Sequence, residues 1–444
     1  MKKMKLTLLT ICLIVFALPS WGGMTISGGK ISTGKDSNIE SKLKIFEGDK
    51  FQIPNNLDYQ VSDKTLEHYY QTQDTLRFRT EQLYLVKPSK NPIEFKMNLE
   101  KSDFIDRQLK TKSIFSYLYF ESGLIVYDEV SPIDRFKMKF VEESYFASHS
   151  VGKSITSYML GHAICQGYIK SIDAPIIDWP LMANTLYFGQ PLINLLNMKA
   201  GDTDVIRSMD GQFIKTGRNI HGGEPLRTAV ENIYELKNTR PIKNAQFAYS
   251  NLTADILFNY VMHRVGDDFD KFIANFYQKK IRIKYPVYLS MNNVLPRLNK
   301  YPSTQRRIAQ GAGQYGITAT RYDYLRIAKA MMDDWQGKTC EGLYLRKIYE
   351  RAIDTKNNLS WNTRFRDSSR YADFGMLSRK YAGQFWTKIP GLENAQILVM
   401  VGADGQQIAM DMNKSRIVVI NAGQEGYYNT RKLGLEPLKY GRIQ

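Results

Sequence analysis

Ser150 and Lys153 stand three residues apart in Ser148-His149-Ser150-Val151-Gly152-Lys153-Ser154. The run that follows carries Ile155, Tyr158, Met159, Ala163 and Ile164 in a helical pattern until Gly167, a stop signal. On a helix this spacing puts both side chains on one face, one turn apart, where an unprotonated amine can take the serine proton. The positive end of the helix favours a developing alkoxide and disfavours an extra ammonium charge beside it. The pattern S-x-x-K alone says little, because the chain repeats it at Ser27/Lys30, Ser32/Lys35 and Ser41/Lys44. Only Ser150 opens an apolar-periodic helix after a structured region, so only there is the geometry fixed rather than averaged over conformers. A helix-capping serine beside a solvated lysine would show the same residues.

A second constellation, Tyr249-Ser250-Asn251, precedes an amphipathic run with Leu252, Ile256, Leu257, Val261 and Val265. A tyrosine facing a Ser/Lys pair can relay a proton to a leaving group, and an asparagine amide can bind a substrate carbonyl. Y-x-N is weak alone, since Tyr427-Tyr428-Asn429 also matches and the chain holds 28 tyrosines. A capping Asn251 with a packing tyrosine is the structural alternative.

These groups need a frame. Ser116–Phe120 and Leu124–Tyr127 flank a Gly-bearing turn and read as a β-hairpin. Strands are also expected at 397–401, 407–412 and 416–420, with a turn at Asn413-Lys414-Ser415 and mostly helical sequence in between. Isolated hairpins bury too little apolar face, so both chain ends are expected to join in one sheet. The fold class is then α/β in the broad sense, α+β in detail: an antiparallel sheet flanked by helices, with an inserted helical subdomain.

In combination these features resemble the serine β-lactamase and penicillin-binding protein superfamily, and within it the class C-like esterases and amidases, especially 6-aminohexanoate-dimer hydrolases. Leu195-Leu196-Asn197-Met198-Lys199-Ala200-Gly201 is similar to that family's L-L-x-M-x-S-G segment, and Gly311–Ala319 to its G-A-G-G-x-x-S-T-A segment. Gly383-Gln384-Phe385-Trp386 is similar to its G-x-x-W strand, and Gly402-Ala403-Asp404-Gly405-Gln406 to its G-x-H-G-Q. The likeness spans about residues 115 to 425 in the family's order.

The resemblance implies a β-lactamase-like fold and an acyl-enzyme on Ser150, with Lys153 as base and Tyr249 as proton relay. Asn251, Asp404, Gly405 and Gln406 would face substrate, with Trp386 as a pocket wall, although a core tryptophan is the other account of Trp386. The oxyanion hole would use the Ser150 N–H and one from about Gly405 to Gln406. Substrates would be small-molecule or short-peptide amides or esters, with no cofactor and no metal.

The chain departs from the family at its third motif. Lactamases and penicillin-binding proteins carry Lys-Thr-Gly on the strand bordering the site, where this chain has Gly402–Gln406. A literal Lys215-Thr216-Gly217 lies between the first two motifs, in the wrong order. Without that cation the carboxylate of a β-lactam loses its partner. Asp404 offers the opposite charge, which would favour an amino-bearing substrate unless it is a solvated strand-end residue. A D-alanyl peptidase and a non-catalytic binding protein on the same fold remain alternatives.

Other chemistries fail on specific grounds. Ser148-His149-Ser150-Val151-Gly152 lacks the first glycine of a G-x-S-x-G elbow, and no histidine follows His263 to act as a late-chain base. Neither a metal motif such as H-E-x-x-H nor a Gly-rich nucleotide loop is present. The formal charge is +17, but it is diffuse and accompanied by no nucleic-acid motif.

Lys2, Lys3 and Lys5 precede an apolar stretch from Leu6 to Leu18, the order of a secretory leader over residues 1–23. The stretch is short of the roughly 20 apolar residues of a membrane span, so a periplasmic or secreted protein without a stable span is expected. Loss of the leader removes three lysines and leaves about +14. Beyond it come a flexible linker at 24–44, an N-terminal extension at 45–110, the catalytic domain at 111–430 and a tail at 431–444. Cys165 and Cys340 would then be the remaining cysteines, read as two separate buried thiols because Cys165 sits on an apolar helix.

Overall fold

The computed structural model describes residues 26–27, 30–31, 83–136, 139–202, 240–292, 308–309, 316–355, 380–423 and 427–443. The chain divides into two units, residues 1–57 and 58–444. In the first, Ile26–Ser27 pairs antiparallel with Lys30–Ile31. The leader, the Lys215-Thr216-Gly217 triplet and residues 311–315 of the Gly311–Ala319 segment lie outside the described residues.

In the second unit the alternating apolar runs form strands β1 (Ile114–Glu121) and β2 (Leu124–Val130), then β3 (Tyr145–Ala147) and β4 (Ile317–Thr320). After them come β5 (Lys380–Ala382), β6 (Phe385–Thr387), β7 (Ile397–Val401), β8 (Gln407–Asp411) and β9 (Arg416–Ala422). A nine-stranded sheet runs Ile353–Asp354, β5, β6, β7, β8, β9, β1, β2, Lys96–Met97. Its closure is the pairing of β1 with β9, which sets Tyr117 opposite Ile420 across some 300 residues of sequence. The sheet is antiparallel except at Lys96–Met97, which runs parallel to β2. The two chain ends therefore share one sheet, and the fold class is α+β.

Both faces of the sheet are covered. Leu118 and Phe120 of β1 look into one apolar core, filled by helices α1 (Val151–Cys165), α2 (Asn251–Val265), α3 (Arg321–Gly337) and α4 (Cys340–Glu350). Tyr117 and Tyr119, one residue out of phase, look into a second core with Ile105 and Leu109. Helix α5 (Tyr427–Tyr440) adds Leu433, Leu435 and Leu438 to that core, so residues beyond 431 are packed against the sheet. A separate sheet joins Leu83–Val86, Val287–Asn292, β4 and β3 in that order.

Helix α1 is buried on nearly every side, from Val151 to Ala163, as expected of a central helix. Its far end corrects one reading of the sequence: Cys165 and Cys340 are not separate thiols but a disulfide, with Cα atoms 5.7 Å apart. The turn between α3 and α4 returns the chain to the end of α1, a meeting of residues 175 apart that local pattern cannot show. Beside it His162 Nδ1 lies 2.8 Å from Glu341 Oε1. That hydrogen bond, opposed by burial, leads the effects that pull the Glu341 carboxyl down to about 2.

Candidate active site

The nucleophile candidate sits on a sharp strand-to-helix turn. Strand β3 ends at Ala147, Ser148 N–H donates to Ile317 O at 2.7 Å on β4, and His149 takes φ +45°. The chain then enters α1 with Ser150 at φ −69°. Its hydroxyl makes no capping bond to the helix, unlike Ser250, whose Oγ accepts from Thr253 N–H at the start of α2. A capping role therefore describes Ser250 rather than Ser150.

Lys153, one turn on, is 1% exposed and its Nζ lies 2.7 Å from Ser150 Oγ. It is not a solvated lysine. Among the described residues no carboxylate forms an ion pair with it. Burial drives its pKa from the ordinary 10.5 down to about 7, with the charge of Asp255 on α2 acting the other way. Near neutrality the amine is therefore substantially unprotonated and able to accept a proton.

Tyr249 reaches the same point from a loop ahead of α2. Its hydroxyl hydrogen-bonds with Ser150, and the Lys153 ammonium position lies 5.0 Å from its ring centroid. Burial raises the phenol's pKa, with the Ser150 bond only partly opposing this, so the group stays protonated at neutral pH. Hydroxyl, amine and phenol thus meet in one cluster, with the amine and phenol buried and Ser150 half-buried.

The other residues singled out in the sequence divide into two groups. Trp386 on β6 stacks against the Tyr249 ring at 6.1 Å and 12°, and Phe247 and Tyr381 pack edge-on to its indole. At 5% exposure it is a wall behind Tyr249 more than a surface for substrate. Asn251 is the first residue of α2 and is partly buried. Gly402 brings the 402–406 turn to the nucleophile: a Cβ there would stand 2.7 Å from Ser148 O and 3.0 Å from the His149 Cβ. Glycine is required by that approach.

Within this turn Asp404, at φ +61°, faces His149, with Oδ2 3.8 Å from Nε2. Gln406 turns inward. Its amide donates to Ala422 O, its Oε1 accepts from Asn421 at 3.2 Å, and its N–H donates back to Ala403 O at 3.3 Å. The side chain is a strut for the turn, and its N–H is engaged there, which moves any second oxyanion donor to an earlier residue of the turn. Gly405 supplies the turn's second left-handed position, at φ +91°.

Sequence reasoning passed over the supports. Gln384, in the β5–β6 turn, donates to Leu195 O and Leu196 O through its side-chain amide, while its backbone carbonyl accepts from Ser154 Oγ of α1. Gly383 N–H donates to Asn197 Oδ1 at 2.7 Å. The Leu195–Gly201 and Gly383–Trp386 segments are thus parts of one scaffold around α1, a linkage signalled in sequence only by their glycines and amides.

A helical interior around a Ser/Lys turn, with the β7–β8 turn of an antiparallel sheet pressed against it, is the arrangement of a β-lactamase-like fold. Comparison with solved structures agrees. A Bacillus anthracis protein assigned as a 6-aminohexanoate-dimer hydrolase aligns over 88% of this chain and 100% of its own, with a TM-score of 0.56 and 13% identity. Looser likenesses include a class C β-lactamase from Rhodobacter sphaeroides (TM-score 0.45, 16% identity, 72% of this chain and 93% of that one). Another is an octameric penicillin-binding protein homologue from Pyrococcus abyssi (TM-score 0.48, 15% identity, 77% and 76%). No family profile matches the chain. No curated protein matches it either.

Proposed function

We propose that this protein is an exported serine hydrolase that cleaves an amide or ester bond through an acyl-enzyme on Ser150. The observation that carries this reading is the buried Lys153 amine, 2.7 Å from Ser150 Oγ and brought to about 7 by burial. Ser150 Oγ attacks the carbonyl carbon as its proton passes to Lys153. The tetrahedral oxyanion is held by the Ser150 N–H and a second backbone donor from the turn that Gly402 presses against it, each such donor contributing about 3 kcal/mol in the transition state.

Collapse of the intermediate breaks the C–N or C–O bond, and the leaving group takes its proton through Tyr249. Burial suits the phenol to this role, because it holds the proton that a phenolate would lack. Tyr249 is reprotonated from Lys153, and water, deprotonated by the same pair, releases the acyl group. Asn251 orients the substrate carbonyl. Asp404 at the rim disfavours the carboxylates that β-lactams and D-alanyl peptides present, so linear amides and esters fit better. The leader-like sequence supports export.

A fluorophosphonate probe tests the reading. Wild-type protein is expected to be labelled at Ser150 by peptide mapping, and Ser150→Ala to lose both the label and ester turnover. Labelling elsewhere would move the nucleophile away from Ser150, and no labelling at all would leave a binding protein on a hydrolase fold.

A further inference from the structure

Tyr249 lies on a loop with no regular structure of its own, yet its phenol must be held within a fraction of an ångström to pass a proton. Both of its neighbours are tied to a single segment. Ala248 N–H donates to Met198 O at 2.9 Å, and Ser250 N–H donates to Met198 Sδ at 3.2 Å. Four residues on, Asp202 Oδ2 accepts from Ser250 Oγ and from Tyr187 Oη at 3.2 Å. Asp202 is 1% exposed, Ser250 5% and Tyr187 0%. The segment is bent for the purpose, with Met198 at φ +50° and Gly201 at φ +81°.

We propose that Asp202 is a positioning residue for the proton relay, fixing Ser250 and thereby the Tyr249 phenol beside Ser150 and Lys153. This rests on the serine-hydrolase reading above. Buried carboxylates are costly unless hydrogen-bonded, and two hydroxyl donors converge on this oxygen. Tyr187 is itself suited to donate, because burial and then the Asp202 charge push its pKa well up. Ser250 in turn caps α2, so the carboxylate fixes the point where loop becomes helix. On its other side the ring lies flat against Trp386 and meets Tyr381 edge-on, contacts that place the ring but do not by themselves anchor the loop carrying it.

A leaving group that needs a proton distinguishes this role from a merely structural one. Ethyl butyrate must receive a proton on its alkoxide, whereas p-nitrophenolate departs from p-nitrophenyl butyrate without one. Asp202→Asn is expected to lower kcat/KM for the ethyl ester about 100-fold, the lower end of what a positioned proton donor contributes. For the p-nitrophenyl ester the expected loss is below about threefold, since only the shared acyl chemistry is at stake. In a Tyr249→Phe background Asp202→Asn should add no further loss on the ethyl ester.

Equal losses on the two esters, no loss on either, or full additivity with Tyr249→Phe would overturn the proposal. Should Asp202→Asn fail to fold, Ser250→Ala cuts the same link and is read the same way. Wild-type protein that is unlabelled by fluorophosphonate and inactive on both esters would overturn the underlying hydrolase reading. A labelled, active wild type with an unchanged ester ratio in the variants overturns the positioning role alone.

Discussion

Two cations in this molecule are equally hidden from water and have opposite fates. Lys153 on α1 and Arg326 on α3 are each 1% exposed. Arg326 Nη1 donates to Asp323 Oδ1 at 2.9 Å, its Nε donates to Ile93 O at 2.8 Å, and its guanidinium lies 5.4 Å from the Phe95 ring centroid. Asp323, 0% exposed, also accepts from the backbone N–H of Lys284 and Tyr285. Arg326, with its carboxylate partner, ties three segments together. Lys153 is given a hydroxyl and a phenol ring instead, and loses its charge near neutrality. Burial is common to both; the counter-charge decides whether the result is a strut or a base.

The largest effect that can break this contrast is on catalysis. Lys153→Met should lower ester turnover by about 1,000-fold or more, because the proton acceptor is gone while the acyl pocket remains. The same substitution should raise stability. The folded-state pKa of about 7 lies below the ordinary 10.5, so between those values the unfolded chain binds more protons and wild-type stability climbs with pH. The cost of the buried amine is complete below pH 7 and fades toward pH 10.5. Melting curves should therefore show the Met variant gaining most at pH 6 and least at pH 10. A variant that is destabilised at pH 6 would mean the lysine is held charged and contributes to stability.

Arg326→Met is expected to do the reverse. It leaves Asp323 buried without its cation, a loss of about 3–5 kcal/mol read by denaturant unfolding. Turnover per folded molecule should stay within about threefold of wild type, since no reacting atom is touched. A large fall in turnover with stability intact would show that α3 shapes the site directly and that the two cations are not separable.

What the sequence reveals follows the same division between local and long-range causes. Ser150 and Lys153 are legible because their spacing and the apolar residues after them belong to one helix turn. Strands β1, β7, β8 and β9 are legible because alternation and turn residues are local signals. The base strength of Lys153 is not, because it depends on burial by elements hundreds of residues apart. The link from Asp202 and Met198 to the Tyr249 loop is not legible for the same reason: the partners Ala248 and Ser250 lie some fifty residues away. The inward direction of the Gln406 side chain is not legible, because a turn residue's sequence does not say which way its side chain points. Of the two accounts of Trp386, pocket wall or core residue, only the packing distinguishes between them: it is buried behind Tyr249. The Cys165–Cys340 bond needed the α3–α4 turn to be seen at the end of α1.

The smallest expected effect sharpens the contrast most. If a counter-charge separates strut from base, Lys153 should respond to a carboxylate even outside ion-pair distance, and Asp255 on α2 is that carboxylate. Its charge favours the ammonium form and so holds the Lys153 pKa above what burial alone would give. In wild type, kcat/KM on p-nitrophenyl butyrate should fall about tenfold per unit once pH drops below about 7, as the base is protonated. Asp255→Asn should move that acid limb to lower pH, by several tenths of a unit and up to about one, and leave the alkaline plateau in place. At pH 6 the variant would then retain more of its own plateau rate than wild type does. An acid limb that stays put in Asp255→Asn would assign the titration to another group at the mouth of the site.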